Sequence, residues 1–158
     1  MSILVNDQET LTNRIARIIA ATRFPFVDQD TWPKGQQTLV NDEIKRYAVS
    51  TDAGVLYPNI VITNPDGTIR ELGTVESKED IETDSVARWR ALSNAAPYGR
   101  EYKKLFLYVP EGSEEKTKKL LEENKIDYDG IRAYRVEPQT LKIVPYITRN
   151  DEYDHIIT

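Results

Sequence analysis

Residues 55–76, VLYPNIVITNPDGTIRELGTVE, contain the pattern that decides the fold. Asn-Pro-Asp-Gly at residues 64–67 is a strong turn signal, because proline presets the first central position and glycine takes the positive φ. The flanking segments are therefore predicted to form an antiparallel β-hairpin. Residues 60–62, Ile-Val-Ile, present apolar side chains to both faces, so the first hairpin strand is predicted to lie inside a sheet covered on both sides.

Apolar residues at helical spacing indicate a helix on each side of this hairpin. A first amphipathic helix is predicted from Thr10 to Thr22, and a second from about residue 86 to residue 96 with Trp89 in the core. Between the first helix and the hairpin, residues 28–37 contain proline and glycine and are predicted to form a loop. Residues 43–50 are predicted to begin a strand.

The rest of the chain carries further strand and helix signals. Residues 105–109 form a continuous apolar run, which predicts a buried strand reached by a crossover. Ser113 is predicted to cap a third helix. Residues 131–136 and 141–147 predict two final strands, and Pro145 assigns the last one to the edge of the sheet.

These elements together predict an α/β fold with a mixed central β-sheet flanked by helices. The chain has 158 residues, of which 39% are hydrophobic and 30% charged, and this is the size and composition of one folded domain. Residues 1–158 are therefore expected to form a single domain that ends in a tail over residues 148–158.

Composition excludes several kinds of site. Cysteine is absent, which removes disulfides, thiolate zinc sites and a cysteine nucleophile. The one histidine, His155, falls in the predicted tail, so a Ser-His-Asp triad or a histidine-rich metal centre is not expected. The N-terminus lacks the features of a secretory signal, and no apolar run approaches the roughly 20 residues of a membrane span. A cytoplasmic protein that does not enter membranes is expected.

Residues at the start of the first hairpin strand and at the end of the second resemble a known nuclease motif. Pro58-Asn59 stands on the first strand and Glu76-Ser77-Lys78 closes the second. This arrangement resembles the PD-(D/E)xK superfamily of restriction-endonuclease-like nucleases, in which Pro-Asp opens one strand and (Asp/Glu)-x-Lys closes the next. The resemblance covers about residues 10–109 and implies a core of helix, three strands, helix and strand, to which residues 110–147 add a C-terminal helix and strands.

The resemblance implies metal-dependent endonuclease hydrolysis of nucleic acid, with Mg²⁺ or Mn²⁺ as cofactor. Such a cation neutralises charge on the phosphate and lowers the pKa of the attacking water, and it prefers oxygen ligands. Asn59 and Glu76 would hold the cation, and Lys78 would complete the catalytic set by steering the water or stabilising the transition state. In an extended chain Lys78 is expected on the same sheet face as Glu76.

Asn59 departs from the motif, because an amide replaces a carboxylate. At about 4 Å and an effective dielectric near 20, a carboxylate and a unit charge attract by roughly 4 kcal/mol, so the change weakens cation binding by orders of magnitude. Three explanations stay open: a degenerate family member, an inactivating change introduced into the sequence, or a second acid from elsewhere. Glu43 is the candidate acid carried forward; Glu9, Glu79 and Asp80 are further candidates.

The hairpin register also constrains this site. A tight turn would pair Thr63 with about Thr68 and set Asn59 opposite residue 72 or 73, roughly 10 Å along the strand from Glu76. A bulge, for example at Gly73, or a longer loop would bring Asn59 and Glu76 together. The resemblance predicts one of these irregularities.

Each candidate residue also has a purely structural interpretation. Asn59 would equally cap backbone amides at the start of its strand, and Glu76 with Lys78 would form an exposed charge pair. Arg88, Arg90 and Lys103 are candidate nucleic-acid contacts, although residues beside a buried Trp89 ordinarily face solvent. The alternative function is a catalytically degenerate domain that serves as a binding or oligomerisation module, for example as a homodimer.

Overall fold

The computed structural model describes residues 3–22, 35, 37–95 and 104–149. The helices in this part of the chain are α1 (Ile3–Thr22), α2 (Ser85–Asn94) and α3 (Glu114–Glu123). The strands are β1 (Gln37–Val40), β2 (Val49–Thr51), β3 (Gly54–Leu56), β4 (Ile60–Thr63), β5 (Ile69–Val75), β6 (Lys104–Pro110), β7 (Gly130–Glu137) and β8 (Thr140–Thr148). A short 3-10 helix, Lys78–Asp80, follows β5.

Six of the strands form one mixed sheet in the order β1-β4-β5-β6-β7-β8. Neighbours from β1 to β5 are antiparallel, β5, β6 and β7 run parallel, and β8 returns antiparallel to β7. The prediction of an α/β fold with a mixed sheet is confirmed. The predicted positions of two strands are confirmed as well, because β4 lies inside the sheet and β8 lies at its edge.

The two faces of the sheet pack against different helices. Along β4, Ile60 and Ile62 join the cluster that contains Ile15 and Ile19 of α1, and we call this side the α1 face. Val61 joins the cluster on the opposite side, the α2 face, which contains residues of α2 and α3, among them the fully buried Trp89. Apolar residues on both faces of the inner strands follow from this double cover.

The hairpin between β4 and β5 forms around the predicted turn. Gly67 has φ +87°, and its amide donates a hydrogen bond to the Asn64 carbonyl oxygen at 2.9 Å. The register shifts next to this turn, between Ile62 and Thr63, so the bulge suggested at Gly73 is wrong in position. Because Ile60 pairs with Gly73, Asn59 lies opposite Thr74. This is one residue nearer to Glu76 than a ladder without the register shift would place it.

The segment before β4 differs from the prediction. Residues 37–40 form the edge strand β1, of which Gln37 was predicted to end a loop and residues 38–40 were assigned no element. Within residues 43–50, the strand β2 begins only at Val49. Residues 54–56 form β3, which pairs with β2 in a separate two-stranded sheet. Pro58 separates β3 from β4, since proline has no amide hydrogen to donate to a ladder.

Asn41 organises the loop that leads into this small sheet. Its Nδ2 donates hydrogen bonds to the carbonyl oxygens of Tyr47 and Pro58, both at 2.8 Å. Its Oδ1 accepts from the backbone amides of Arg46 at 2.7 Å and Tyr47 at 2.9 Å. The Asn41 side chain is buried, so these four hydrogen bonds satisfy backbone amides and carbonyl oxygens at the base of the two-stranded sheet in place of water.

Three further expectations can be compared with the described residues. Ser113 is the N-cap residue of α3, as predicted, but its side chain makes no capping hydrogen bond. No helix among residues 3–22, 37–95 and 104–149 is long and apolar enough to cross a membrane. His155, Lys103 and the tail from residue 150 onward lie outside the described residues.

We expect Asn41→Ala to lower the free energy of unfolding by about 2–4 kcal/mol, because several buried polar groups lose their partners. Asn41→Asp should destabilise the protein as well, since a carboxylate cannot donate to the two carbonyl oxygens. Urea denaturation measures both effects. The control is Asp52→Ala in the exposed β2–β3 connection, where a change within about 0.5 kcal/mol is expected. An unchanged midpoint for both Asn41 variants would contradict this role.

Candidate functional site

The candidate site lies where β4 begins and β5 ends. The Asn41 amide donates to the Asn59 carbonyl oxygen at 3.0 Å, which extends the β1–β4 ladder by one residue. The Asn59 side chain extends towards β5, and its Oδ1 accepts a hydrogen bond from the Val75 amide at 2.8 Å. Asn59 therefore acts as a backbone-like acceptor at the last residue of β5. The structural interpretation of Asn59 named amides at the start of its own strand, whereas the amide that its side chain caps is that of Val75 on the neighbouring strand.

This contact determines what Asn59 offers to a ligand. A backbone amide can only donate, so the atom facing Val75 must be the side-chain oxygen. One lone pair of that oxygen is used, and the other terminal group is Nδ2, which is a donor and not a cation ligand. An aspartate here would present a second, anionic oxygen. Asn59 is therefore a poor metal ligand in this arrangement.

Asn59 and Glu76 follow the same face of the sheet. Ile60 and Val75 belong to the cluster on the α1 face. Because side chains alternate along a strand, Asn59, which precedes Ile60, and Glu76, which follows Val75, lie on the α2 face. For Glu76 the contacts agree with this placement, since its carboxylate meets residues of α2.

The Glu76 carboxylate is fully engaged by α2. Arg88 Nη1 donates to Oε2 at 2.9 Å, and Nη2 donates to Oε1 at 2.5 Å, in a two-pronged ion pair. Trp89 Nε1 also donates to Oε2, at 3.2 Å. The Glu76 side chain is only 1% exposed, whereas the Arg88 side chain is 36% exposed. Both oxygens of this buried carboxylate therefore already have strong donors.

The surroundings reinforce this ion pair. Burial opposes the charged form of Arg88, but the hydrogen bonds and charge of Glu76 outweigh burial, and the net effect raises the Arg88 pKa. Tyr134 donates its hydroxyl to the Glu76 backbone oxygen at 2.6 Å. Burial and, after it, the charge of Glu76 raise the Tyr134 pKa, so the phenol remains a donor at neutral pH.

Lys78 does not continue the strand as predicted. β5 ends at Val75, and Lys78 begins the 3-10 helix instead of extending β5. Ser77 and Asp80 form a reciprocal capping box at this point, with side-chain to backbone distances of 3.3 Å in both directions. The extended chain that would align Lys78 with Glu76 is absent here, and the Lys78 side chain is exposed.

Glu43, the candidate additional acid, belongs to the opposite side of the sheet. It contacts Asn13 at 3.4 Å and Arg17 at 3.0 Å, both on α1. Glu76 contacts α2, and the two helices cover different faces. The structure therefore does not bring Glu43 and Glu76 together. Of the other candidate acids, Asp80 is engaged in the capping box and the Glu9 side chain lies outside the described residues.

The donor set does not fit a divalent cation. Among residues 3–22, 37–95 and 104–149, no three or more histidine, aspartate or glutamate side chains form a group that could hold a metal ion. Mg²⁺ requires free oxygen ligands, usually carboxylates. Glu76 offers none that is not already paired, and Asn59 offers a neutral oxygen that accepts from Val75.

Comparison with family models, curated proteins and solved structures found no match to this chain. The nuclease resemblance therefore depends on the element order and the motif residues.

The candidate nucleic-acid contacts make internal contacts. Arg88 pairs with Glu76, and Arg90 donates to the Asn124 carbonyl oxygen at 3.0 Å. Lys103 lies outside the described residues. The two described arginines therefore stabilise contacts within the domain.

Sequence reasoning missed two residues of this site. Arg88 was assigned to solvent or nucleic acid, yet it is the partner of Glu76. The useful signal was Trp89, because a buried indole N–H needs an acceptor and Glu76 closes the preceding strand. Thr74 is the second missed residue: its Oγ1 is buried and has no hydrogen-bond partner. No local pattern points to Thr74.

We expect Asn59→Asp to keep the contact with Val75 and Asn59→Ala to lose it. The alanine variant leaves the Val75 amide without its acceptor, which should cost about 1–2 kcal/mol of unfolding free energy. Hydrogen exchange of the Val75 amide should quicken in Asn59→Ala and stay slow in Asn59→Asp. Equal exchange rates in the wild type and the alanine variant would show that Asn59 does not protect this amide.

On the α1 face, Asp42 gives a pH-dependent test. Its carboxylate accepts from the Ile44 amide and pairs with Arg17 and Arg46. The Ile44 hydrogen bond, followed by these arginines, holds the Asp42 pKa well below its ordinary value of 3.8, although burial acts in the opposite direction. A lowered folded-state pKa stabilises the protein above the unfolded-state pKa, and this contribution disappears as pH falls.

Asp42→Asn should therefore be less stable than the wild type at pH 7, and the difference should shrink as pH falls below about 4. Denaturation midpoints at a series of pH values measure this. Glu123→Gln, at an exposed pair with Lys119, is the control and should show little difference at any pH. A difference for Asp42→Asn that does not vary with pH would contradict the assignment.

Proposed function

We propose that this chain is a PD-(D/E)xK-like domain that has lost phosphodiester hydrolysis and acts by binding. The order α1, β1, β4, β5, α2, β6 corresponds to the helix, three strands, helix and strand that the resemblance implies. The strand order β1-β4-β5-β6, antiparallel until the parallel β5–β6 pair, is compatible with this core. The small β2–β3 sheet is then an insertion between the first two core strands.

The Glu76–Arg88 pair is the observation that carries the proposal. A metal-dependent nuclease needs a carboxylate free to ligate a cation, which in turn activates a water. Here an internal guanidinium engages both Glu76 oxygens at 2.9 and 2.5 Å. At the other position Asn59 has no negative charge, and Lys78 lies in a 3-10 helix. Asn59 and Glu76 therefore serve local structure in this arrangement, and the Lys78 side chain is exposed.

A protein partner suits this domain better than nucleic acid. The net charge is −5, and Arg88 and Arg90 are engaged within the domain. Outside the six-stranded sheet, the loop before β2 and the end of β3 carry the exposed side chains of Ile44, Val55 and Tyr57. Lys45 Nζ lies 6.0 Å from the centre of the Tyr57 ring, so the loop before β2 comes close to the residue that follows β3. An exposed apolar patch in this region would suit a protein contact. The proposed activity is therefore protein binding, including association with a second copy.

A second candidate, metal-dependent hydrolysis of nucleic acid, has one observation in its favour. Asn59 and Glu76 end up on the same face at adjacent strand ends, with Asn59 bonded to the residue before Glu76. This is the relation that two motif residues would need to share a ligand. Hydrolysis then requires a cation to displace Arg88 from Glu76.

A nuclease assay with Mg²⁺ or Mn²⁺ distinguishes these candidates. The wild type, Asn59→Asp and Glu76→Ala should be tested on single-stranded and duplex DNA and on RNA. We expect no metal-dependent cleavage by the wild type or by Glu76→Ala. Wild-type cleavage that Glu76→Ala abolishes would overturn the binding proposal and establish hydrolysis. Sedimentation of the wild type across a concentration series tests self-association in the same samples.

A further inference from the structure

A groove of about 910 Å³ lies between the two-stranded sheet, α2 and the turn that joins β4 to β5. Every residue from Tyr47 to Ala53 lines this groove, a stretch that contains the whole of β2. The face of a strand would contribute only every second residue, because side chains alternate. The consecutive residues therefore indicate that the groove follows the outer edge of β2, which is the edge away from β3.

The backbone of Ser50 offers a donor and an acceptor along this outer edge. Thr51 pairs with Gly54 across the two-residue connection at residues 52–53, so these two residues form the hydrogen-bonded pair that closes the hairpin. Hydrogen-bonded and non-hydrogen-bonded pairs alternate in an antiparallel ladder, which makes Ser50 and Val55 a non-hydrogen-bonded pair. The Ser50 N–H and C=O groups therefore point away from β3.

The outer edge of β2 is open in the part of the chain that the structure describes. Among residues 3–22, 37–95 and 104–149, β2 pairs with β3 alone, and the Ser50 backbone has no further hydrogen bond. Ser50 is also exposed. The edge strand β8 is different, because Pro145 and a register shift interrupt it, and both features protect an edge from pairing. The outer edge of β2 has neither feature and is suited to pairing with an added strand.

α2 forms the opposite wall of the groove. Ala87 and Ala91 line it from positions one helical turn apart. Their short side chains leave space for a strand beside β2, and the larger side chains of that strand can contact the helix. The groove therefore combines backbone groups on one wall with an apolar surface on the other, which is the arrangement of sites that bind peptides by strand addition.

The charge of the groove favours a basic occupant. Of the described lining residues, Asp52, Asp66 and Arg90 are charged, so acidic groups are in excess. Arg90 already donates to the Asn124 carbonyl oxygen at 3.0 Å. The net charge of the whole chain, −5, has the same sign as this excess. Lysine or arginine residues in a bound segment would complement these charges.

We propose that this groove is a peptide-binding site, in which an extended basic segment of a partner protein adds a strand to the outer edge of β2. The backbone of the segment exchanges hydrogen bonds with Ser50, and its apolar side chains pack on Ala87 and Ala91. Its basic side chains lie towards Asp52 and Asp66. The inference rests on the proposed function, protein binding, and adds the site and the class of partner.

Selection from a phage-displayed library of random dodecapeptides tests the proposal with the whole chain. The wild type should enrich peptides that combine β-branched or aromatic residues with lysine or arginine. Synthetic copies of these peptides should bind in fluorescence anisotropy titrations. They should also slow hydrogen exchange of the Ser50 amide, because that amide gains an acceptor.

Two substitutions of Ser50 separate backbone pairing from a side-chain contact. Ser50→Pro removes the outward N–H but no hydrogen bond of the β2–β3 ladder, so it should fold and bind the selected peptides about tenfold more weakly. Ser50→Ala keeps the amide and should bind like the wild type. Equal loss of binding in both variants would assign the contact to the Ser50 side chain and overturn strand addition.

A second pair of variants tests the groove without changing β2. Ala87→Trp fills the groove from an exposed position of α2 and should weaken binding about tenfold. Lys119→Trp, at a side chain on α3 that is 72% exposed, is the matched control and should leave binding unchanged. Asp52→Asn should weaken the binding of basic peptides about three- to fivefold at low salt.

Several outcomes would overturn the proposal. These are the absence of enriched peptides, the enrichment of acidic peptides, and binding that neither Ser50→Pro nor Ala87→Trp weakens. Self-association of the wild type that Ser50→Pro abolishes would assign the groove to a second copy instead of a separate partner. Failure of the proposed function appears separately, as wild-type cleavage in the nuclease assay, and leaves the peptide titrations unaffected.

Discussion

A carboxylate buried at the end of a central strand constrains much of this domain. Glu76 lies where β5 leaves the sheet, and its charge must be compensated within the protein. α2 provides the compensation, with Arg88 on both oxygens and the Trp89 indole on one of them. Because Trp89 is itself fully buried in the core, the ion pair fixes α2 on the sheet as well as neutralising Glu76. The contacts that neutralise Glu76 therefore also determine how α2 packs on the sheet.

Side-chain amides complete the same end of the sheet. Asn59 supplies an acceptor to Val75 where a backbone carbonyl would otherwise stand, and Asn41 joins two loop segments through four hydrogen bonds. Amides suit this task because each carries a donor and an acceptor without a net charge. Asn59, which departs from the nuclease motif, is thus well matched to its structural contacts.

Local signals in the sequence were sufficient for the main architecture. The turn at residues 64–67 and the helical spacing around Trp89 encode the hairpin and α2, because turn chemistry and periodicity act over short distances. β1 was missed since a four-residue edge strand carries little pattern. The Arg88 contact joins residues 12 positions apart across two elements, which no periodicity shows. The departure of Lys78 from the strand was readable, since Ser77 and Asp80 have capping-box spacing.

The base of the two-stranded sheet has a consequence for how the chain can vary. Asn41 binds Tyr47 and Pro58, so the two ends of the excursion that contains β2 and β3 are joined before β4 begins. Strands β1 and β4 can then pair whatever the length of the chain between those ends. Insertions and deletions at residues 51–54 should consequently be tolerated, because they leave β1, β4 and the pairing between them unchanged.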